Sequence, residues 1–374
     1  MSRPLLCALA SALVLLAIPG CSPPQAEGVE AIYTVPTSLE ALSDSSFLDH
    51  PFPSDFRTEG GSPVYRGFFN PRGTPIIQQY VQSIENLLGG FSTVAAGYVR
   101  FAGAVDPTSL PADDPASFDP RSSVQLLNID PGSDDYLARH PISVSFRAAG
   151  GHFLLPNTLR WMPALGFPLA AATRYAFVTT SSLRGADGGP TLANSTLQQV
   201  LGLTPADGQT AKLRDALAAD LDALATAGVR RHHISQFAVF TTDDPSRELL
   251  AVRDHVHAHV PVPTFKEDRW HQFFADNYIE FQGVYGPNPN YQAGNIPFAD
   301  PVDGGALNFT ADGTPEVVDY FDLRFSLTVP IQTACPMPAA GYPIVMYAHG
   351  TGGDFQSYIR SGIAHDMAER CVAA

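Results

Sequence analysis

The chain has 374 residues, 45% hydrophobic and only 16% charged, with 31 glycines, 33 prolines and a formal net charge of -15. That length and apolar content exclude a wholly disordered chain and allow two domains, while the glycine and proline content suits short strands joined by many turns. The negative charge, with no basic cluster to offset it, excludes nucleic acid and anionic membrane surfaces as electrostatic partners, because affinity for either comes from Lys and Arg.

The first residues, "MSRPLLCALASALVLLAIPGC", carry one positive charge and then an apolar run from Leu5 to Ile18, too short for a comfortable membrane span. This is the pattern of a secretory leader over residues 1–20. Its end, "IPGC", resembles the bacterial lipobox, which implies lipidation of Cys21 and an exported chain anchored to the membrane through its lipid; plain cleavage of the leader is the alternative. Residues 21–45, beginning with the polar, proline-containing "SPPQAEGVEA", read as a tether.

From about Ser45 to Val260, short apolar runs such as "SSVQLLNIDPG", "HPISVSFRAAGGHFLLP" and "ISQFAVFTTDD" alternate with Asp, Pro and Gly punctuation, the rhythm of a β-sandwich. Three helices interrupt it. Thr74 and Pro75 open the first, with Ile77, Tyr80, Val81, Ile84, Leu87 and Leu88 on one face as far as Gly89. The second spans about Thr210 to Ala227, striped by Leu213, Leu217, Leu221 and Leu224 and stopped by Gly228. Asp244 and Pro245 open the third, which should turn Leu249, Val252 and Val256 inward.

After Thr264 the texture changes. "DYFDLRFSLTVP" alternates strictly, placing Phe321, Leu323, Phe325, Leu327 and Val329 on one strand face. "PIVMYA" does not alternate, and a strand apolar on both faces belongs in a sheet covered by helices, so the expected class shifts towards α/β. It runs into "HGTGGD" and then a helix with Ile359, Ile363 and Met367 four residues apart. A strand, a glycine-rich turn and a helix aim backbone N–H groups at one point. A phosphate loop would need a terminal Lys or the spaced dinucleotide glycines, and both are missing.

At these residues the chain resembles the α/β-hydrolase superfamily, and "PFPSDF", "VFTTDD", "PNYQAGNIPF" and "LRFSLTVP" resemble segments of bacterial surface lipoproteins with a lipase- or esterase-like domain behind a β-rich one. "GFPLAAATRYAFVTTSSLRGADG" is similar to the last strands of bacterial Ig-like modules. The fold so implied is mixed: an N-terminal Ig-like β-sandwich over 46–260, then the incomplete first part of an α/β-hydrolase sheet over 261–374. The resemblance also implies an oxyanion loop, with the Thr351 amide as donor, Gly350, Gly352 and Gly353 keeping the turn open and His349 bracing it. Such an enzyme cleaves carboxylic esters or lipids without a cofactor, but its nucleophile elbow, acid and base are expected beyond Ala374, so the chain reads as an inactive fragment. The competing reading is a non-catalytic surface protein whose sandwich holds a partner or glycan.

Two cysteines remain, Cys335 and Cys371, either a disulfide pair in an oxidising envelope or two small buried residues. His255, His257 and His259 invite a metal, yet helical spacing brings only His255 and His259 together, so the chain is read as binding no metal. His232 and His233 follow a helix C-terminus, where cations are favoured. Asp113, Asp114 and Asp119 lack the oxygen spacing of a calcium loop and read as a solvated turn.

Overall fold

Turn chemistry and β-branched runs in the first two thirds of the chain form strands that the computed structural model describes within residues 27–84, 87–298 and 301–374. The leader and the lipidation site Cys21 lie outside the described residues. The chain divides into two units between Asp243 and Asp244.

In the first unit the main strands are, in chain order, β1 (Val29–Ile32), β2 (Gly97–Phe101), β3 (Val124–Asn128), β4 (Arg139–His140), β5 (Ile142–Arg147), β6 (Thr158–Pro163), β7 (Arg174–Thr180), β8 (Thr191–Leu192) and β9 (Ile234–Thr241). They form two sheets, ordered β8-β1-β2-β6-β5 and β9-β7-β3-β4. Pairing is antiparallel except between β8 and β1. Val99, Phe101, Leu159 and Trp161 of the first sheet pack on Val124, Leu126, Phe177 and Phe240 of the second.

The other face of the second sheet is also covered. Helices α2 (Ser195–Val200), α3 (Gly208–Ala216) and α4 (Ala218–Thr226) lay Leu197, Leu213, Leu221 and Leu224 against Leu127, Val178, Phe237 and Val239. This explains why β3 is buried throughout and β7 and β9 nearly so: a strand between two apolar layers has no solvent face to spend on polar residues. The expected Ig-like sandwich is therefore corrected to two sheets with a helical third layer. The helix read over 210–227 breaks at Leu217 into α3 and α4, although its leucine stripe is buried as one surface. The first helix, α1 (Pro75–Ile84), half-buries Ile77, Val81 and Ile84 and leaves Tyr80 exposed.

Trp161 stacks on Phe177 with centroids 4.9 Å apart and planes 9° apart, and it crowds Gly97, where an added Cβ would lie 2.3 Å from the indole. Phe177 and Phe240 also pack against the ring, which limits its freedom to shift. Gly97→Ala should therefore destabilise the chain by about 1–3 kcal/mol through overpacking, read from the denaturant midpoint of the first unit's transition. An unchanged midpoint would contradict this account.

The second unit begins with α5 (Arg247–His259), which sequence reading gave to the first domain; Val252 and Val256 are half-buried, but Leu249 faces solvent. Its sheet consists of β10 (Thr264–Phe265), β11 (His271–Phe274), β12 (Tyr278–Asn290) and β13 (Asp319–Pro330). Each of β10, β11 and β13 pairs antiparallel with β12. Phe325 of β13 meets Phe265, Trp270 and Tyr285 at 5.2–5.9 Å between centroids. The opposite face carries Ser326 and the buried Thr328, roofed by α6 (Ser357–Arg360) and α7 (Ile363–Glu369). The alternating run forms β13 as expected, but its more deeply buried face near Thr328 is the polar one.

The α/β-hydrolase sheet expected over 261–374 is not formed. The sheet of this unit is antiparallel, and the run 343–348, expected as a central strand apolar on both faces, forms no extended strand. Among the described residues it meets other backbone at a parallel bridge from Ile344 to Ala373, with Val345 N–H donating to Ala373 O at 2.9 Å. One bridge leaves both faces in solvent, and Met346 is 94% exposed. Apolar residues in a row are necessary for a central strand but do not supply the neighbouring backbones that make one.

Candidate functional site

The turn 349–353 is exposed throughout. His349 Nδ1 lies 3.0 Å from Gly350 O, and Gly353 N–H donates to the same carbonyl at 3.0 Å, so the turn is closed on itself. Asp354 follows, its carboxylate accepting from Gln356 N–H at 2.9 Å and Arg360 Nη2 at 2.8 Å; these bonds, Arg360 first, hold its pKa below the usual carboxylate range. The structure keeps His349, Gly350, Thr351, Gly352 and Gly353 together at the surface, ahead of α6. Cys335 and Cys371 are joined by a disulfide.

The remaining sequence candidates are occupied locally. His255 Nδ1 lies 2.7 Å from Tyr291 Oη and its ring 4.9 Å from that of His259, with His257 exposed. Asp113 accepts from Ala116 N–H, Asp114 from the Ser143 hydroxyl, and Asp119 from three N–H groups of Arg121, so these carboxylates do not converge. A serine–histidine pair that sequence reading missed, Ser54 and His50, is equally structural. His50 donates from Nδ1 to Thr34 O at 2.7 Å, leaving Nε2 to accept from the Ser54 hydroxyl at 3.0 Å. Burial, and then the nearby Arg57 charge, pushes the imidazole down to about 3, so it is neutral at pH 7. Both side chains are buried beyond the reach of a substrate.

A more capable arrangement lies at the β4 end of the second sheet in the first unit. Here a cavity of about 290 Å³ opens between Phe118, in the turn "ASFDP", and Phe167, in the turn "LGFP". Both rings reach solvent, at 49% and 60% exposure. Behind them, His140 on β4 donates from Nε2 to Phe167 O at 2.9 Å, which ties the second aromatic turn to the sheet. Tyr175 on β7 meets the His140 ring edge to face at 6.2 Å, and its hydroxyl accepts from Ala170 N–H at 3.0 Å. Burial raises the Tyr175 pKa and lowers that of His140, so neither group is charged at neutral pH.

The polar wall is equally well braced. Arg139 donates from Nε to Gln125 Oε1 at 2.9 Å and from Nη2 to Ala227 O at 3.1 Å, while Asn128 bridges Ser133 Oγ and Asp130 N–H. Asp135 also lines the cavity, and among the described residues its carboxylate has no hydrogen-bond partner. Two exposed rings and a free acceptor beside a fixed guanidinium suit a ligand with an apolar face and hydroxyl edges. Large aromatics beside Pro and Gly, in "ASFDP" and "LGFP", were the available sequence signal.

No protein-family model and no curated protein matches the chain. Among solved structures, the crystal structure of an S-layer protein matches at 9% identity with a TM-score of 0.20, over 70% of this chain and 33% of that one. The chain thus spans about a third of that protein, and a likeness at this score carries no argument about fold or function.

Proposed function

We propose that the chain is an exported, lipid-anchored surface protein that binds rather than cleaves, and that its first unit holds a neutral glycan in the cavity between Phe118 and Phe167. The observation that carries this reading is an Asp135 carboxylate without a hydrogen-bond partner among the described residues, lining the same cavity as two solvent-facing rings. A carboxylate accepts hydrogen bonds from paired hydroxyls, and an aromatic face packs on the C–H side of a sugar ring. The ester-hydrolase reading rests instead on the turn 349–353, which lies open and hydrogen-bonded to itself.

Screening the chain against immobilised neutral glycans should find a ligand whose affinity falls about tenfold in Phe167→Ala and in Asp135→Asn, or about 1.4 kcal/mol each. Their melting temperatures should be nearly unchanged, because both side chains are at the surface. Binding that survives both substitutions would sink the proposal. Ester turnover blocked by a fluorophosphonate probe would restore the hydrolase reading.

A further inference from the structure

A second cavity in the first unit, of about 250 Å³, gathers positive groups that are scattered along a chain of net charge -15. Arg121 reaches it from the turn before β3, Ser182 from the end of β7, and Arg230 and His233 from the segment joining α4 to β9. That segment is placed by Gly228, whose φ of +89° turns the chain out of α4. The floor is rigid: Gln125 donates from Nε2 to Pro120 O and Ser122 O, and its Oε1 accepts from Arg139.

The local acids are already committed. Asp119 is engaged bidentately by Arg121, at 3.1 and 2.9 Å, and Asp222 by Arg231 at 2.7 Å. Among the described residues the Arg230 guanidinium has neither an acid nor a hydrogen-bond acceptor, and the Ser182 hydroxyl has no partner. His233 adds a ring tilted 53° against that of His232, with centroids 4.4 Å apart. Desolvation, and then the positive fields of His232 and Arg230, lowers its pKa. A concave site with an unspent guanidinium and an unspent hydroxyl has donors that suit a tetrahedral oxyanion, because arginine presents N–H groups in a fork that matches oxyanion geometry.

We infer that this cavity binds a small oxyanion, a phosphate or sulfate group, with Arg230 as the principal contact and Ser182 as a hydroxyl donor. A polyanion would meet the repulsion of the whole chain, whereas a single small anion meets only this pocket. The site does not depend on glycan binding at the neighbouring cavity.

The test is calorimetric titration of the full chain with sodium phosphate and with sodium sulfate at fixed ionic strength, with sodium chloride as the control. Saturable binding of either oxyanion, weakened about tenfold by Arg230→Gln and about threefold by Ser182→Ala, is the expected result. Arg230 is exposed, so equal melting temperatures of the unliganded variants establish that they are folded. Glucose 6-phosphate in a parallel titration distinguishes the source: tighter binding than inorganic phosphate assigns the site to a phosphorylated sugar, and equal binding to the free ion. Heats that match the chloride control, or an affinity unchanged in Arg230→Gln, would overturn the inference.

Discussion

Replacing Cys335 and Cys371 by serine is expected to lower the stability of the second unit by about 4 kcal/mol, the largest single effect predicted for this protein. The disulfide spans a sequence separation of 36, and the chain-entropy account gives about 3 kcal/mol for a loop of about 15 residues and nearly 5 for about 100. Within that loop lie the exposed run 343–348, the turn 349–353 and both short helices. Their packing is slight: the local apolar cluster consists of Tyr358, Ala364 and Ala374, with Tyr278, Ile359, Ile363 and Met367 beside it. Two helices of four and seven residues cannot persist on intrinsic propensity. Chemical denaturation of the double variant, or of the unaltered chain in reductant, should show the second unit's transition at lower denaturant while that of the first stays in place. If reduction leaves both transitions where they were, the disulfide is not what orders this segment.

Arg174→Ala should cost the first unit about 2–3 kcal/mol. Arg174 opens β7 and donates from Nε and Nη2 to both carboxylate oxygens of Asp220 on α4, at 2.9 and 2.8 Å, and from Nη1 to Asp55. Asp55 in turn accepts from the N–H and hydroxyl of Thr241 at the end of β9, both at 2.8 Å. One guanidinium therefore ties the sheet to the helical layer and to the loop at Asp55. Removing it strands an Asp220 side chain that is only 10% exposed, and breaking a buried pair costs about 3–5 kcal/mol. The Arg174 side chain is itself 31% exposed, so water recovers part of that loss and sets the lower figure. Arg174→Lys keeps the charge and loses the fork, and it should fall between the two. A loss below 0.5 kcal/mol, measured by urea unfolding, would show that the triad is incidental.

Much of the local structure was legible because its signals act over short windows. The leucine stripe from Leu213 to Leu224 is buried against the second sheet, and β13 occupies the alternating run at Asp319–Pro330. The run 343–348 misled for the same reason: hydrophobicity marks a stretch as able to be a central strand, while the pairing that would make it one depends on backbone elsewhere. Leu249 misled on a smaller scale, since helical periodicity names a face without saying what covers it.

The candidate sites were less legible. Phe118, Asp135 and Phe167 come from three separate turns, and Arg121, Ser182 and Arg230 from three others; no spacing rule links them, and only the order of strands in the second sheet makes them neighbours. By itself the sequence determined that helices lie near 75–84, 210–227 and 247–259 and that β13 alternates, because periodicity, capping and turn preference are properties of a few consecutive residues, whereas α2 and the break at Leu217 were not legible. The tertiary structure decided which faces are buried, that Cys335 meets Cys371, and which distant turns share a cavity. Those outcomes depend on pairings between segments far apart in the chain, whose energies no local window contains.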